Sequence, residues 1–284
     1  MIELGFHCNR LHHVEERVLG NGLQRGEFYN FPREDIPTLK AALRHYGIAM
    51  SIHTPLVKPD WYPNPPTWTF LCDLDPEKRN LSLRMVADTM AMAEDFGAEY
   101  VVVHFPVPPS EATSQLGYPE WLGIAMDSCH KLVRLSEAHG IPIHIEGFGP
   151  SPFLNATFLS GLFMEFPVLR YCFDTGHMHL SAQRDGFDYF AFAQEVLPYI
   201  GSVHLWNNRG LDDYRAFRHI PVHPSQDPAE GWVDIERTLK IVAANGHPFS
   251  LIFESGQHYP QALGDYDYRD GVIWVKGILE TLFW

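Results

Sequence analysis

The sequence has no closely spaced pair of cysteines. Its four, Cys8, Cys72, Cys129 and Cys172, are scattered, with no Cys-x-x-Cys. This excludes a disulfide framework and points to a reducing compartment, the cytoplasm. Cys172 lies inside an apolar run, where a cysteine usually packs as a small buried hydrophobe. No apolar run approaches the ~18 residues of a membrane span. The start, Met1-Ile-Glu-Leu-Gly-Phe, reads at once as a strand and lacks the basic and apolar regions of a signal peptide. Basic residues are scarce: 21 Lys and Arg against 35 Asp and Glu, a net charge of −14. Such a balance argues against broad attraction to nucleic acid or an anionic membrane, but leaves room for a locally basic mouth. No glycine-rich phosphate loop follows the first strand, which counts against a doubly wound dinucleotide-binding sheet. There is no internal repeat and no linker, so residues 1–284 read as one domain.

What is present is a set of short apolar runs that stop at residue types able to bind a metal. The run Tyr171-Cys-Phe ends at Asp174, and a turn, Thr-Gly-His177, returns an imidazole to the same place. Similar endings occur at His53, His104, Glu146, His204 and Glu254. Around them the chain alternates. Strands are expected at Ile2–Phe6, Gly26–Asn30, Ala49–His53, Tyr100–His104, Ile141–Glu146, Leu169–Asp174, Gly201–His204 and Phe249–Glu254. Helices are expected at 33–46, from Asp75 to Phe96, and at 121–139, 156–166, 187–197, 233–244 and 271–282, with a short one at 14–19. Proline openings and glycine stops mark several of them. Pro106, Pro108 and Pro109 are expected to end the fourth strand.

The apolar runs are continuous rather than alternating, as in strands buried on both faces. Strict alternation of β and α implies a parallel sheet with right-handed crossovers. Eight such units, in a chain near the ~250 residues typical of the fold, close most simply into a single (β/α)8 TIM barrel with its site at the C-terminal strand ends. Glu146, Asp174, His204 and Glu254 would then point into one mouth. Burying several like charges there is costly, and a divalent cation removes the cost. Three oxygens and one nitrogen suit Zn²⁺, Mn²⁺, Mg²⁺ or Co²⁺. His53 and His104 are placed to hold a second, nitrogen-rich metal bridged by Glu146, which favours zinc. His177 and His219 suit a third metal or a substrate oxygen, with His179 and His223 as further candidates. A stiff loop at 55–70 carries five prolines with Trp61, Tyr62 and Trp68. It either packs its own aromatics on the rim or touches a ligand.

These motifs resemble the xylose-isomerase-like TIM-barrel superfamily of sugar isomerases, epimerases and endonuclease IV. The resemblance rests on Ser51-Ile-His53-Thr-Pro, Val103-His104, His144-Ile-Glu146, Phe173-Asp174-Thr-Gly-His177, Val203-His204-Leu, His219-Ile-Pro and Phe253-Glu254. The epimerase branch implies one metal held by Glu146, Asp174, His204 and Glu254, with the two glutamates also moving protons beside a carbonyl. The endonuclease IV branch implies a three-zinc cluster completed by His53, His104, His177 and His219. Its fingerprint has an aspartate two residues before the histidine matching His219, where this chain has Phe217. His223 or Asp213 are the available substitutes for that ligand. Mouth loops 205–231 and 255–270 carry Arg209, Arg215, Arg218 and Arg269 among more numerous acids, not the continuous basic surface that duplex DNA needs.

The expectation is therefore a metal-dependent isomerase or epimerase of a small sugar or sugar phosphate. Glu146 and Glu254 act as acid and base, and His177 and Arg209 contact substrate, with Trp61, Trp68 or Trp206 as aromatic walls. The competing expectations are an endonuclease-IV-like zinc phosphodiesterase acting on abasic DNA, and a barrel that binds a metabolite without turnover.

Overall fold

In the structure, a computed structural model, residues 2–105, 117–149, 151 and 153–282 are described. Eight strands are all parallel and form one closed barrel in chain order. They are β1 (Ile2–Cys8), β2 (Arg25–Phe28), β3 (Ala49–His53), β4 (Val101–His104), β5 (Ile143–Glu146), β6 (Leu169–Asp174), β7 (Ile200–Leu205) and β8 (Phe249–Phe253). Closure is made by β1 on β8, with Ile2 opposite Phe249 and Phe6 opposite Phe253. Each expected strand is found; β3 and β6 have the expected bounds, and the others differ by one or two residues at one or both ends. The prolines expected to end β4, together with Pro150 and Pro152 after β5, lie outside the described residues.

Outer helices follow from local chemistry. For α1 (Ile36–Tyr46), Gly47 ends the helix at φ 64°, and Leu39 and Leu43 are its buried face. For α2 (Pro76–Phe96), the Asp75 carboxylate accepts from Glu77 N, Pro76 opens the first turn, and Gly97 closes it at φ 69°. Helix α3 (Tyr118–His139) begins three residues before the expected Trp121, because the Glu120 side chain reaches back to Gly117 N at 2.8 Å. The rest of the expected series appears as α4 (Ala156–Glu165), α6 (Tyr189–Val196), α8 (Ile235–Ala243) and α9 (Tyr268–Leu282).

Two helices were not expected. The residues Thr175-Gly-His-Met-His look like a turn, yet α5 (Thr175–Asp185) starts directly from the end of β6. Asp174 caps it, accepting from His177 N at 2.6 Å. Gly176 is required because a Cβ there would sit 2.3 Å from the Trp206 ring. The second is α7 (Leu211–Phe217), a short helix within the loop after β7. Among the described residues no helix is long and apolar enough to cross a membrane.

The parallel register places the chemistry in one layer. At the C-terminal ends, His7 lies opposite Glu27, His104 opposite Glu146, and Asp174 opposite His204. Side chains alternate along a strand, so register decides which of them share the barrel interior.

Candidate metal centre

Glu146 Oε2 is the hub of the site. It lies 3.1 Å from His53 Nε2, 3.3 Å from His104 Nε2 and 3.3 Å from His204 Nδ1. His204 Nδ1 is also 3.1 Å from Glu254 Oε2 and 4.0 Å from Asp174 Oδ2. Donor atoms of Glu146, Asp174, His204 and Glu254 all lie within 4.8 Å of one another. A second set, His53, His104 and Glu146, meets the same limit and shares Glu146 with the first.

The electrostatics show why this arrangement needs a partner. Glu146, Asp174 and His204 are buried, with at most 1% of their surface exposed, and Glu254 is 8% exposed. Burial opposes ionisation of Glu146, but His204 and His104 hold its carboxyl well below the usual carboxylate range. The Glu254 carboxyl is likewise held low, by His204 and His219 against burial. Asp174 pays the balance: burial, then Glu254 and Glu146, push its carboxyl well above the usual range. No lysine or arginine ion-pairs with any of the four among the described residues. Glu146 Oε1, His204 Nδ1 and Glu254 Oε2 are buried without a hydrogen-bond partner. Buried polar atoms are rarely left so. A divalent ion held by Glu146, Asp174, His204 and Glu254 would offset this buried charge. The residues present therefore fit the metal that the donor set implies.

Surrounding groups hold the donors in place. Trp206 Nε1 donates to Asp174 Oδ2 at 2.8 Å. On the other face of His204, Nε2 lies 2.7 Å from Glu27 Oε1, and Ser51 Oγ donates to Glu27 Oε2 at 3.1 Å. A carboxylate behind a ligating imidazole sets which nitrogen faces the metal. Glu27 is fully buried on β2 and did not stand out in the sequence, since its strand, Arg25-Gly-Glu-Phe28, has no apolar run leading to it. His7 is likewise unmarked in the sequence. It lies one residue before the end of β1, with Nδ1 3.4 Å from Glu254 Oε1, its ring stacked 4.0 Å from Tyr29. The signal for both was their place near the C-terminal end of a strand.

The chain matches the family described as xylose isomerase-like TIM barrel over residues 3–277. It belongs to that family. No match is found among curated proteins. Solved structures share the fold at low identity. A D-tagatose 3-epimerase-like protein is 17% identical with a TM-score of 0.74, covering 99% of this chain and 98% of its own. An L-ribulose 3-epimerase is 16% identical with a TM-score of 0.69, covering 99% and 96%. A Thermus thermophilus protein soaked with ZnCl2 is 19% identical with a TM-score of 0.64, covering 98% and 97%.

Above this donor layer lies a cavity of about 590 Å³. Of the four clustered donors only Glu254 lines it, joined by His53, His104, His177, His219 and His7. The His177 imidazole is held neutral, its pKa lowered to about 3 by burial and then by His219. His177 and His219 have ring centroids 5.4 Å apart, and neither joins a three-donor set among the described residues. His219 Nδ1 instead donates to the Glu254 carbonyl at 2.9 Å, and its ring stacks on Trp206 at 4.2 Å.

Other expected contacts fall elsewhere. Arg209 forms a two-pronged pair with Asp213 and lies over Trp232 at 5.1 Å, off the cavity wall. That pairing also leaves Asp213 engaged away from the metal cluster. Trp206 is fully buried beneath His219, so it supports the wall without forming it. The aromatic loop divides between its two readings: Trp61 packs under Arg84 at 4.2 Å, whereas Trp68 lines the cavity. His179 bonds Gly231 O and Gln183, and His223 bonds Ser225, both away from the cluster.

Proposed function

We propose that this chain is a divalent-metal-dependent isomerase or epimerase of a small sugar-like substrate, working by proton transfer beside a carbonyl. The observation that carries the reading is the convergence of two carboxylates, Glu146 and Glu254, on one imidazole nitrogen from strands β5 and β8. Similarity in fold to a D-tagatose 3-epimerase-like protein and an L-ribulose 3-epimerase supports it. Zn²⁺ or Mn²⁺ suits the donor set best, and Mg²⁺ or Co²⁺ is compatible. When bound, the ion supplies the Lewis acidity that polarises a carbonyl and its neighbouring hydroxyl.

The chain's own groups supply the rest. Glu254, which reaches the cavity, removes the proton from the carbon beside the carbonyl, and Glu146 is its partner in returning one. His177, neutral and cavity-facing, donates a hydrogen bond to a substrate oxygen. Trp68 offers an aromatic wall to the sugar face. Asp174, tied down by Trp206 and by the α5 cap, keeps the donor layer rigid.

The test is solvent exchange. With metal added, deuterium from D2O should enter the substrate carbon next to the carbonyl in at least one ketose or hydroxy-carbonyl compound. Glu254→Gln should slow that exchange by at least ~10²-fold while keeping the metal, because the amide can offer an oxygen but cannot accept a proton.

A second reading keeps one specific observation in its favour. The set His53, His104 and Glu146 suits a second zinc, as in an endonuclease-IV-like phosphodiesterase. Elemental analysis of the double variant His53→Ala, His104→Ala separates the two. A fall from two metal equivalents to one supports that reading, and an unchanged single equivalent removes it. Phe217 on the cavity wall, in place of a third-site aspartate, weighs toward the isomerase.

A further inference from the structure

The cavity reverses the charge of the chain. Overall, acids outnumber bases 35 to 21. Around the cavity there are two arginines, Arg17 and Arg218, and one carboxylate, Glu254, which belongs to the metal cluster. Among the described residues neither arginine has an ion-pair partner, unlike Arg25, Arg184 and Arg209.

Both arginines are held in place by unusual backbone. Arg17 lies in a π-helical turn, Val14–Val18, just after β1. Such turns are rare and concentrate at functional sites. Its Nη1 donates to His7 O at 2.9 Å, and its Nε is buried without a partner. Arg218 has φ 61° and ψ −131°, in the left-handed region that non-glycine residues seldom adopt. With this reversal, three successive residues, Phe217, Arg218 and His219, all line the cavity. The guanidinium stands 5.5 Å from the Tyr214 ring. Observed strain of this kind is a reason to look for function.

Both arginines belong to segments that reach Glu254. Arg17 is bonded to the backbone of His7, whose ring is 3.4 Å from Glu254 Oε1. Arg218 directly precedes His219, which bonds Glu254 O at 2.9 Å. Ser255 and His258, in the loop after β8, also line the cavity. In (β/α)8 barrels the loops after strands seven and eight frequently hold phosphate. Arginine binds phosphate and carboxylate in a planar, two-pronged manner that an uncharged hydroxyl does not require.

We propose that the substrate carries a terminal anion, a phosphate ester or a carboxylate, seated between Arg17 and Arg218. The proposal rests on the isomerase reading of the metal centre and adds the substrate class to it. Arg218, in place of the expected Arg209, is the loop arginine that meets the substrate.

Calorimetry on the metal-loaded protein tests it with three probes: a ketopentose 5-phosphate, the same ketopentose without phosphate, and the matching sugar acid. At least one anionic probe should bind roughly 10- to 100-fold tighter than the neutral sugar, the scale of one charge-assisted hydrogen bond or two. The two anionic probes tell phosphate from carboxylate. In Arg17→Met and in Arg218→Asn the ratio of anionic to neutral affinity should fall toward one. Arg218→Lys should retain part of it. Arg218 is exposed, so its substitution tests the idea even where Arg17→Met does not fold. Equal affinity for charged and neutral sugars, or a ratio unmoved in both Arg218 variants, overturns the proposal. Deuterium exchange into a neutral ketose with no anion preference overturns it and spares the isomerase. Anion preference without exchange in any probe supports the anion seat and overturns the isomerase.

Discussion

The two ends of this barrel both collect buried charge and treat it oppositely. At the N-terminal end, Arg25 is only 2% exposed and bonds both Glu3 and Glu99, whose side chains are about half exposed. Nearby, His144 stacks on Tyr100 at 4.1 Å, and its Nδ1 is 2.9 Å from Ser202 Oγ. The buried guanidinium there has two carboxylate partners. At the C-terminal end, Glu27, Glu146, Asp174 and Glu254 have no lysine or arginine ion-pair partner among the described residues, only histidines and neutral donors such as Ser51 and Trp206, and several atoms have no hydrogen-bond partner. A balanced end contributes to stability, whereas an end with uncompensated acid suits a cation. The same fold thus sets a paired end apart from the end that holds the candidate site, and substitutions should sort accordingly.

The largest effect is expected at the C-terminal end. Asp174→Ala should lower metal affinity well over 100-fold, more than the ~10–100-fold typical of losing a group behind a ligand. Circular dichroism should stay near the parent's, since the barrel strands do not depend on this carboxylate. Full metal occupancy in that variant, by elemental analysis, would break the contrast between the two ends. Affinity for the ion should also fall in acid, where protons compete for carboxylates and imidazoles.

A smaller effect of opposite kind is expected from Arg25→Met. Removing the guanidinium leaves Glu3 and Glu99 facing water, so the loss is that of two charge-assisted bonds, about 2–3 kcal/mol of stability by denaturant titration. Metal affinity should not change. A parallel loss of metal would show that the two ends are coupled.

The smallest effect sharpens the same end by pH. Burial, then the positive charge of Arg170, lowers the His144 pKa from 6.5 to about 3. The folded state therefore keeps this imidazole neutral while the unfolded chain takes up a proton below pH 6.5. Stability falls as pH drops from 6.5 toward 3, and His144 contributes nothing to pH dependence above 6.5. At pH 5 the cost is about 2 kcal/mol. His144→Gln should flatten the stability profile over that window, and an unchanged slope counts against a neutral buried imidazole.

Much of the candidate site's convergence is legible in the sequence. Glu146, Asp174, His204 and Glu254 each close an apolar run, and in a parallel barrel the C-terminal ends must meet. Their side-chain directions were thereby set to the mouth. The helix after Asp174 was not legible, because Thr175 and Gly176 favour a turn, and only the contact with Trp206 explains the glycine. Glu27 and His7 were hidden by short or mixed strands whose register had to be seen.

The sequence by itself determined the order of strands and helices, the C-terminal layer of metal-binding residue types, and the acidic net charge. It did so because strand alternation, proline and glycine punctuation and charge count are local properties. Only the tertiary structure decided that Arg209 turns to Asp213 and Trp232 while Arg17 and Arg218 turn to the cavity. It alone separated Trp68 from Trp61 and Trp206, and it alone set Glu27 behind His204. Loops have no period to aim a side chain. Its direction is chosen by backbone dihedrals such as that of Arg218, and by partners that arrive from distant parts of the chain.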